Sequence, residues 1–276
     1  YVPNYEPGKY DLALLHLDQQ SLEKELWERG KGSLYRELNS VITDIPKIVI
    51  MHGTPYYPEM FENNQDIVDL AKDAVKGNFV IMNSRRAVEM FGFGHAIWHG
   101  MNPDEWFDLP KEPRVVTMIG PAGLDAYYDR DFLGAVKDAL QEEGIEHCHI
   151  TVDYTAKSWD EYRQFMGRSL LYFNPTKESP MPRSRTEAML SGSCVITTPT
   201  QDADKFIKNG ENGFLVQRGD VRGTVDLIKH LFKNYDKAIE IGQAGKKTAQ
   251  ELFSYTRFEA EWRAVVEKVL NIKIEV

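Results

Sequence analysis

The sequence predicts an α/β protein made of two Rossmann-like domains. Short apolar runs alternate with stretches of 3.6-residue apolar periodicity along nearly the whole chain. That series stops at a polar, proline-containing stretch, residues 102–113, and then restarts. The length, 276 residues, is just under two domains at about 150 residues each. Fully apolar strands that alternate with helices imply parallel sheets covered on both faces. In such sheets ligands bind beyond the carboxyl ends of the strands.

In the first half, residues 10–17 (YDLALLHL) read as a strand, and 21–26 and 33–42 as helical. Residues 47–52 (KIVIMH) form a short apolar strand closed by Gly53-Thr54-Pro55. Residues 64–76 form an amphipathic helix with Ile67, Leu70, Ala71 and Ala74 on one face. A strand at 78–82 follows, then a helix capped by Ser84 that runs to Met90, then a strand at 95–98. Beyond the linker, strands are expected at 114–119, 147–152, 170–173, 194–197 and 213–216. Helices are expected at 131–140, 159–166, 186–190, 203–208, 222–233, 235–252 and 258–270.

Composition narrows the function. With 42% hydrophobic and 27% charged residues the profile is globular, which argues against disorder. Thirty-three basic against 42 acidic residues give a charge of −9, which argues against a nucleic-acid partner but not against a local basic pocket. The longest apolar runs fall far short of the roughly 20 residues of a membrane span, so membrane contact would be peripheral. No signal peptide opens the chain, which starts at Tyr1, and upstream sequence is expected to be missing or removed. Cys148 and Cys194 lie in apolar runs and read as buried free thiols of a cytoplasmic protein.

Residues 174–199 (NPTKESPMPRSRTEAMLSGSCVITTP) hold the most chemistry. A buried strand leads into a loop with Glu178, Arg183 and Arg185, then a short helix and another buried strand. Two arginines before a helix start could hold a diphosphate. Equally, Ser184 and Glu187 fit the S-x-x-E capping box, and the arginines could be a solvated face. Asp129-Arg130-Asp131 spells D-x-D but lies at a helix start, where acidic residues are ordinary. His147-Cys148-His149 lacks further zinc ligands, so no metal is assigned.

The pieces TEAMLSGSCVITTP (186–199), FIKNGENGFLV (206–216) and Gly219-Asp220 keep one order and spacing over about 45 residues. They resemble the carboxyl-terminal signature of retaining GT-B glycosyltransferases, the glycogen-synthase-like and sucrose-synthase-like family (glycosyl transferases group 1). His99-Gly100-Met101-Asn102-Pro103-Asp104 with Phe107 resembles that family's linker, and residues 114–120 the first strand of its second domain. The resemblance spans roughly residues 47–270. It implies two Rossmann-like domains facing each other across a cleft: an acceptor-side domain at 1–108, a nucleotide-sugar domain at 109–254, and a helix at 255–276 that crosses back. The first domain shows about four strands, fewer than the family's, and is expected to be truncated or minimal.

By resemblance the reaction moves a sugar from a nucleoside diphosphate, UDP favoured over GDP, to a glycan, lipid-linked or small-molecule acceptor. It retains configuration and uses no metal or other cofactor. His52 and Glu178 would face the donor sugar. Glu187 would serve the ribose, and the diphosphate would be met either by Arg183, Ser184, Arg185 and Thr186 at the helix start or by Arg130 in the stretch after Gly120. The sequence departs from the pattern at two places. Glu178 and Glu187 lie nine apart rather than the family's eight, with Ser179 at the strict position, and Pro121-Ala122 replace the basic pair after Gly120. The alternatives are a nucleotide-sugar epimerase of the same fold and a non-catalytic nucleotide- or glycan-binding subunit.

Overall fold

Four apolar runs of the first half become the strands β1 (Ala13–Asp18), β2 (Lys47–His52), β3 (Phe79–Met82) and β4 (His95–Ala96). The computed structural model describes residues 5–22, 24–55, 64–118, 128–150, 156–177, 181–200 and 202–274. It divides into two units, residues 1–99 with 256–276, and residues 100–255.

In the first unit the strands form a parallel sheet in the order β1-β2-β3-β4. The helices are α1 (Lys24–Arg29), α2 (Lys31–Val41), α3 (Asn64–Ala74) and α4 (Arg85–Phe91). Strand alternation sends Leu15, Leu17, Val49 and Met51 to one face, where Tyr35, Ile67, Ala71 and Phe91 cover them. Ile48 and Ile81 go to the other face and pack with Val265, Phe258 and Trp262 of α11 (Tyr255–Leu270). Full burial of one such side chain contributes about 1.5–3 kcal/mol, so two filled faces hold a sheet this small. Ser84 caps α4, accepting from the Ala87 amide at 3.0 Å, and Gly92 at φ 73° ends it.

The second unit contains β5 (Glu112–Thr117), α5 (Arg130–Glu142), β6 (His147–His149), α6 (Trp159–Arg168), β7 (Ser169–Asn174) and α7 (Arg183–Leu190). It continues through β8 (Cys194–Thr197), α8 (Ala203–Phe206), β9 (Phe214–Leu215), α9 (Val221–Lys233) and α10 (Tyr235–Leu252). Its sheet is parallel in the order β6-β5-β7-β8-β9. All six residues of β7 are buried, as the centre of a sheet covered on both faces demands. Leu171, Phe173 and Ile196 pack with Val136 and Leu140 of α5 and Ile228 of α9. Helix α10 packs against α7 and β8. Gly242 permits this, since a Cβ there would stand 2.3 Å from the Gly192 carbonyl oxygen.

Three expectations change. The linker 102–113 is a 3-10 turn at Pro103–Glu105 that runs on into β5, which takes in Pro113. That proline has no N–H to donate, and the β5–β7 register shifts between Glu112 and Val115. Helix α7 begins at Arg183, three residues earlier than predicted, because Pro182 at the N-cap already holds φ at −73°. Of the two thiols only Cys194 is buried; Cys148 lies half exposed on β6 and donates to Glu146.

Candidate functional site

The chain leaves β5 for β6 on one side and returns to β7 on the other, although β5 and β7 are neighbours. Connections diverge at such a point and open a crevice beyond the carboxyl ends of the two strands. An open cavity of about 830 Å³ lies there. Met118, just past β5, and Tyr128, just before α5, form part of its wall with Arg183, Ser184 and Glu187 of α7. Trp159 and Tyr255, both more than half exposed, also line it.

The helical period decides which α7 side chains reach the cavity. At about 100° per residue, Arg183, Ser184 and Glu187 share one face, while Arg185 points to the opposite side. Arg183 is exposed in the cavity wall at the first position of the helix, where the dipole favours an anion. Arg163, the other cation of the wall, is tied to the Glu105 carbonyl at 3.1 Å and the Asp160 carboxylate at 2.7 Å.

Glu187 is 6% exposed, and its Oε2 accepts a hydrogen bond from the Tyr162 hydroxyl at 2.6 Å. Burial raises its pKa, opposed by the Tyr162 hydrogen bond and the Arg183 charge. The capping-box reading of Ser184 and Glu187 is therefore corrected. Pro182 is the cap and makes no side-chain bond, so Ser184 sits inside the first turn and Glu187 turns one oxygen to Tyr162 instead of the helix start. Ser184 lies beside the hydroxyls of Tyr128 and Tyr172.

Arg185 stands apart from the cavity wall. It is fully buried, with its guanidinium 5.2 Å from the Phe206 ring centre and donating to the Thr200 carbonyl at 3.2 Å. Burial lowers its pKa to about 10, which leaves it charged at neutral pH, and Asp202 opposes that fall. The expected diphosphate contact from Arg185 thus becomes an internal tie, because helix rotation turns its side chain into the core. Thr186 is likewise fully buried and absent from the wall.

Arg130 is exposed at the start of α5 and also lies outside the wall. Asp129 caps α5, accepting from the Phe132 amide at 3.1 Å, and pairs with Arg218. Its carboxylate serves the fold, and among the described residues no three His, Cys, Asp or Glu side chains converge as metal ligands. Gly120 and Glu178 lie outside the described residues.

His52 ends β2 in the first unit. Its Nε2 lies 3.0 Å from Nδ1 of His16, with the rings parallel to within 7°. Burial lowers the His52 pKa, the His16 charge lowers it further, and Asp18 opposes. His16 and His52 stand in the wall of a second cavity of about 700 Å³, otherwise largely apolar, with Leu12, Leu14, Leu34 and Leu38.

Sequence reasoning missed Tyr162, Tyr128 and Tyr172. Tyr162 shares the buried face of α6 with Met166, four residues on, so periodicity marks it as core. Nothing in that pattern says that its hydroxyl meets a carboxylate on another helix.

The family model described as "Glycosyl transferases group 1" matches residues 111–248. No curated protein matches the chain by sequence. Among solved structures, HepE of Anabaena in complex with UDP-glucose superposes with a TM-score of 0.68 at 16% identity, covering 94% of this chain and 79% of that one. Sucrose-phosphate synthase from Thermosynechococcus elongatus gives 0.70 at 15%, covering 95% and 74%. A glycosyltransferase from Rickettsia africae gives 0.63 at 16%, covering 95% and 78%. These likenesses show the fold, the GT-B architecture of two α/β units, each built on a parallel sheet.

Proposed function

Because the chain belongs to the glycosyl transferases group 1 family, we propose that it transfers a hexosyl group from a UDP-sugar to an acceptor hydroxyl, with retention of anomeric configuration and without a metal or other cofactor. One observation carries this reading. A single helix face presents Arg183 and Glu187, four residues apart, to a cavity at the switch point of the matched segment.

Transfer breaks the bond between the sugar and the diphosphate. Positive charge grows on the anomeric carbon and negative charge on the leaving diphosphate. A fixed cation and a helix start stabilise that charge without reorganising. Arg183 and the first turn of α7 take this role, with Ser184 beside them. The Glu187 carboxylate, one turn further, accepts from the ribose hydroxyls. This assignment replaces the basic pair missing after Gly120 with one arginine and a helix dipole. His52 and Glu178 are assigned to the donor sugar on the family resemblance alone. HepE is described in complex with UDP-glucose, which supports the preference for UDP over GDP. The acceptor is a glycan, a lipid-linked sugar or a small molecule. The two unpaired thiols support a cytoplasmic location, and no described helix is long and apolar enough to cross a membrane.

The test is a donor panel. UDP and UDP-sugars should raise the melting temperature more than GDP, ADP and their sugars. A ligand at about 100 times its Kd stabilises by about 2.7 kcal/mol. Turnover of the stabilising donor should transfer sugar to an added acceptor with its anomeric configuration kept. An epimer as product, or stabilisation by no nucleotide, overturns the proposal.

A further inference from the structure

We infer that Tyr162 is a positioning residue for the nucleotide: it commits one oxygen of Glu187 to the protein and leaves the other to read the ribose. The inference rests on the ribose assignment of Glu187 above. It follows from how a long carboxylate behaves in a buried place. Glu187 has three side-chain torsions and two competing partners. Arg183 stands four residues earlier on the same helix face, the spacing at which Arg and Glu form an ion pair. Such a pair would consume both groups, leaving neither the guanidinium for a diphosphate nor the carboxylate for a ribose.

The structure shows the other outcome. Oε2 is held by Tyr162 at 2.6 Å, and among the described residues Arg183 acts on Glu187 through its charge with no ion pair between them. Tyr162 can enforce this because it is itself immobilised. It is fully buried, with the edge of Trp106 at 6.1 Å and of Trp159 at 5.3 Å between ring centres. Its hydroxyl therefore has one direction, set by α6 rather than by α7. Two helices fix the carboxylate, and Arg183 stays available in the cavity wall.

A merely structural tyrosine would support α6 and α7 without affecting which sugar the nucleotide carries. A positioning tyrosine changes the discrimination between a ribose and a ring that lacks its hydroxyls. The experiment is calorimetric titration of the full chain and of Tyr162→Phe with UDP and with 2′,3′-dideoxy-UDP, with melting followed in parallel. The parent should bind UDP at least about ten-fold more tightly than the dideoxy compound. In Tyr162→Phe the affinity for UDP should fall about ten-fold and that for dideoxy-UDP should stay put, so the ratio collapses. Phe keeps the ring and its packing on Trp106 and Trp159; if the variant melts lower, the same titrations run below its melting temperature should show the same collapse. A parent that binds both ligands equally refutes the ribose assignment and this inference with it. A discriminating parent whose variant discriminates equally refutes the inference alone.

Discussion

Arg183 and Arg185 are two residues apart and look alike in the sequence, yet the structure assigns them opposite consequences. Arg185→Ala removes a hydrogen bond to the Thr200 carbonyl, the contact with the Phe206 ring and the buried charge that Asp202 favours. A hydrogen bond from a charged donor contributes about 1.5–3 kcal/mol. A desolvated cation–π contact adds about 2 kcal/mol. The variant should therefore lose about 3–5 kcal/mol. At about 2–4 °C per kcal/mol for a unit of this size, the melting temperature should fall by about 10 °C. Arg183→Ala touches an exposed side chain and should melt within about 2 °C of the parent. Its cost appears in binding: UDP affinity should fall about ten- to a hundred-fold. Uridine, which carries no phosphate, should bind as before. Melting curves and calorimetric titrations on both variants measure the two axes separately. If Arg185→Ala melts normally but loses UDP, while Arg183→Ala keeps it, the helix-face argument is wrong.

Glu187→Gln removes a charge that burial disfavours, so its melting temperature should hold or rise while uridine affinity falls about ten-fold; a matching loss of stability and affinity would return Glu187 to a structural role. Because only the ionised carboxylate accepts from both ribose hydroxyls and burial raises its pKa, uridine should bind more tightly as pH rises above the ordinary carboxylate range, and this slope should vanish in Glu187→Gln. His147 is held neutral by burial, with its pKa lowered from 6.5 to about 4, and its ring lies 3.0 Å from the Thr117 hydroxyl. The unfolded chain takes its proton first, so stability present above pH 6.5 should be lost by up to about 3 kcal/mol as pH falls toward 4. His147→Gln should flatten that part of the pH–melting profile, and an unchanged profile would refute the assignment. Activity should survive excess EDTA; complete loss restored by Mn²⁺ would revive a metal role near Asp129.

The strands were legible because burial on two faces demands uninterrupted apolar runs. Lys47–His52 and Cys194–Thr197 stand where the sequence places them, and Ser84 caps α4 as its position predicts. Boundaries shifted where backbone chemistry outweighed apolar pattern, as at Pro182, which opens α7 ahead of its first apolar residue, and at Pro113, which lies inside β5. Within 174–199 the sequence located a segment that lines the cavity but weighed its residues by type and order. It could not rank Arg183 against Arg185, since that ranking depends on the helix start, and a three-residue shift in that start rotates every side chain.

What the sequence determined by itself was the α/β class, the two series of strands and helices, and the segment with its glutamate and arginines. Each of these is a local or periodic property, set by the spacing of apolar residues and by the restrictions of proline and glycine along one stretch of chain. What only the tertiary structure decided was the company each side chain keeps. Tyr162 reaches Glu187 across 25 residues of sequence, and Arg218 reaches Asp129 across 89. Arg185 disappears into the core while Arg183 remains in the cavity wall. These outcomes follow from packing helices onto a twisted sheet. A side chain's partners there depend on the rotation and offset of elements distant in sequence, which no local pattern encodes.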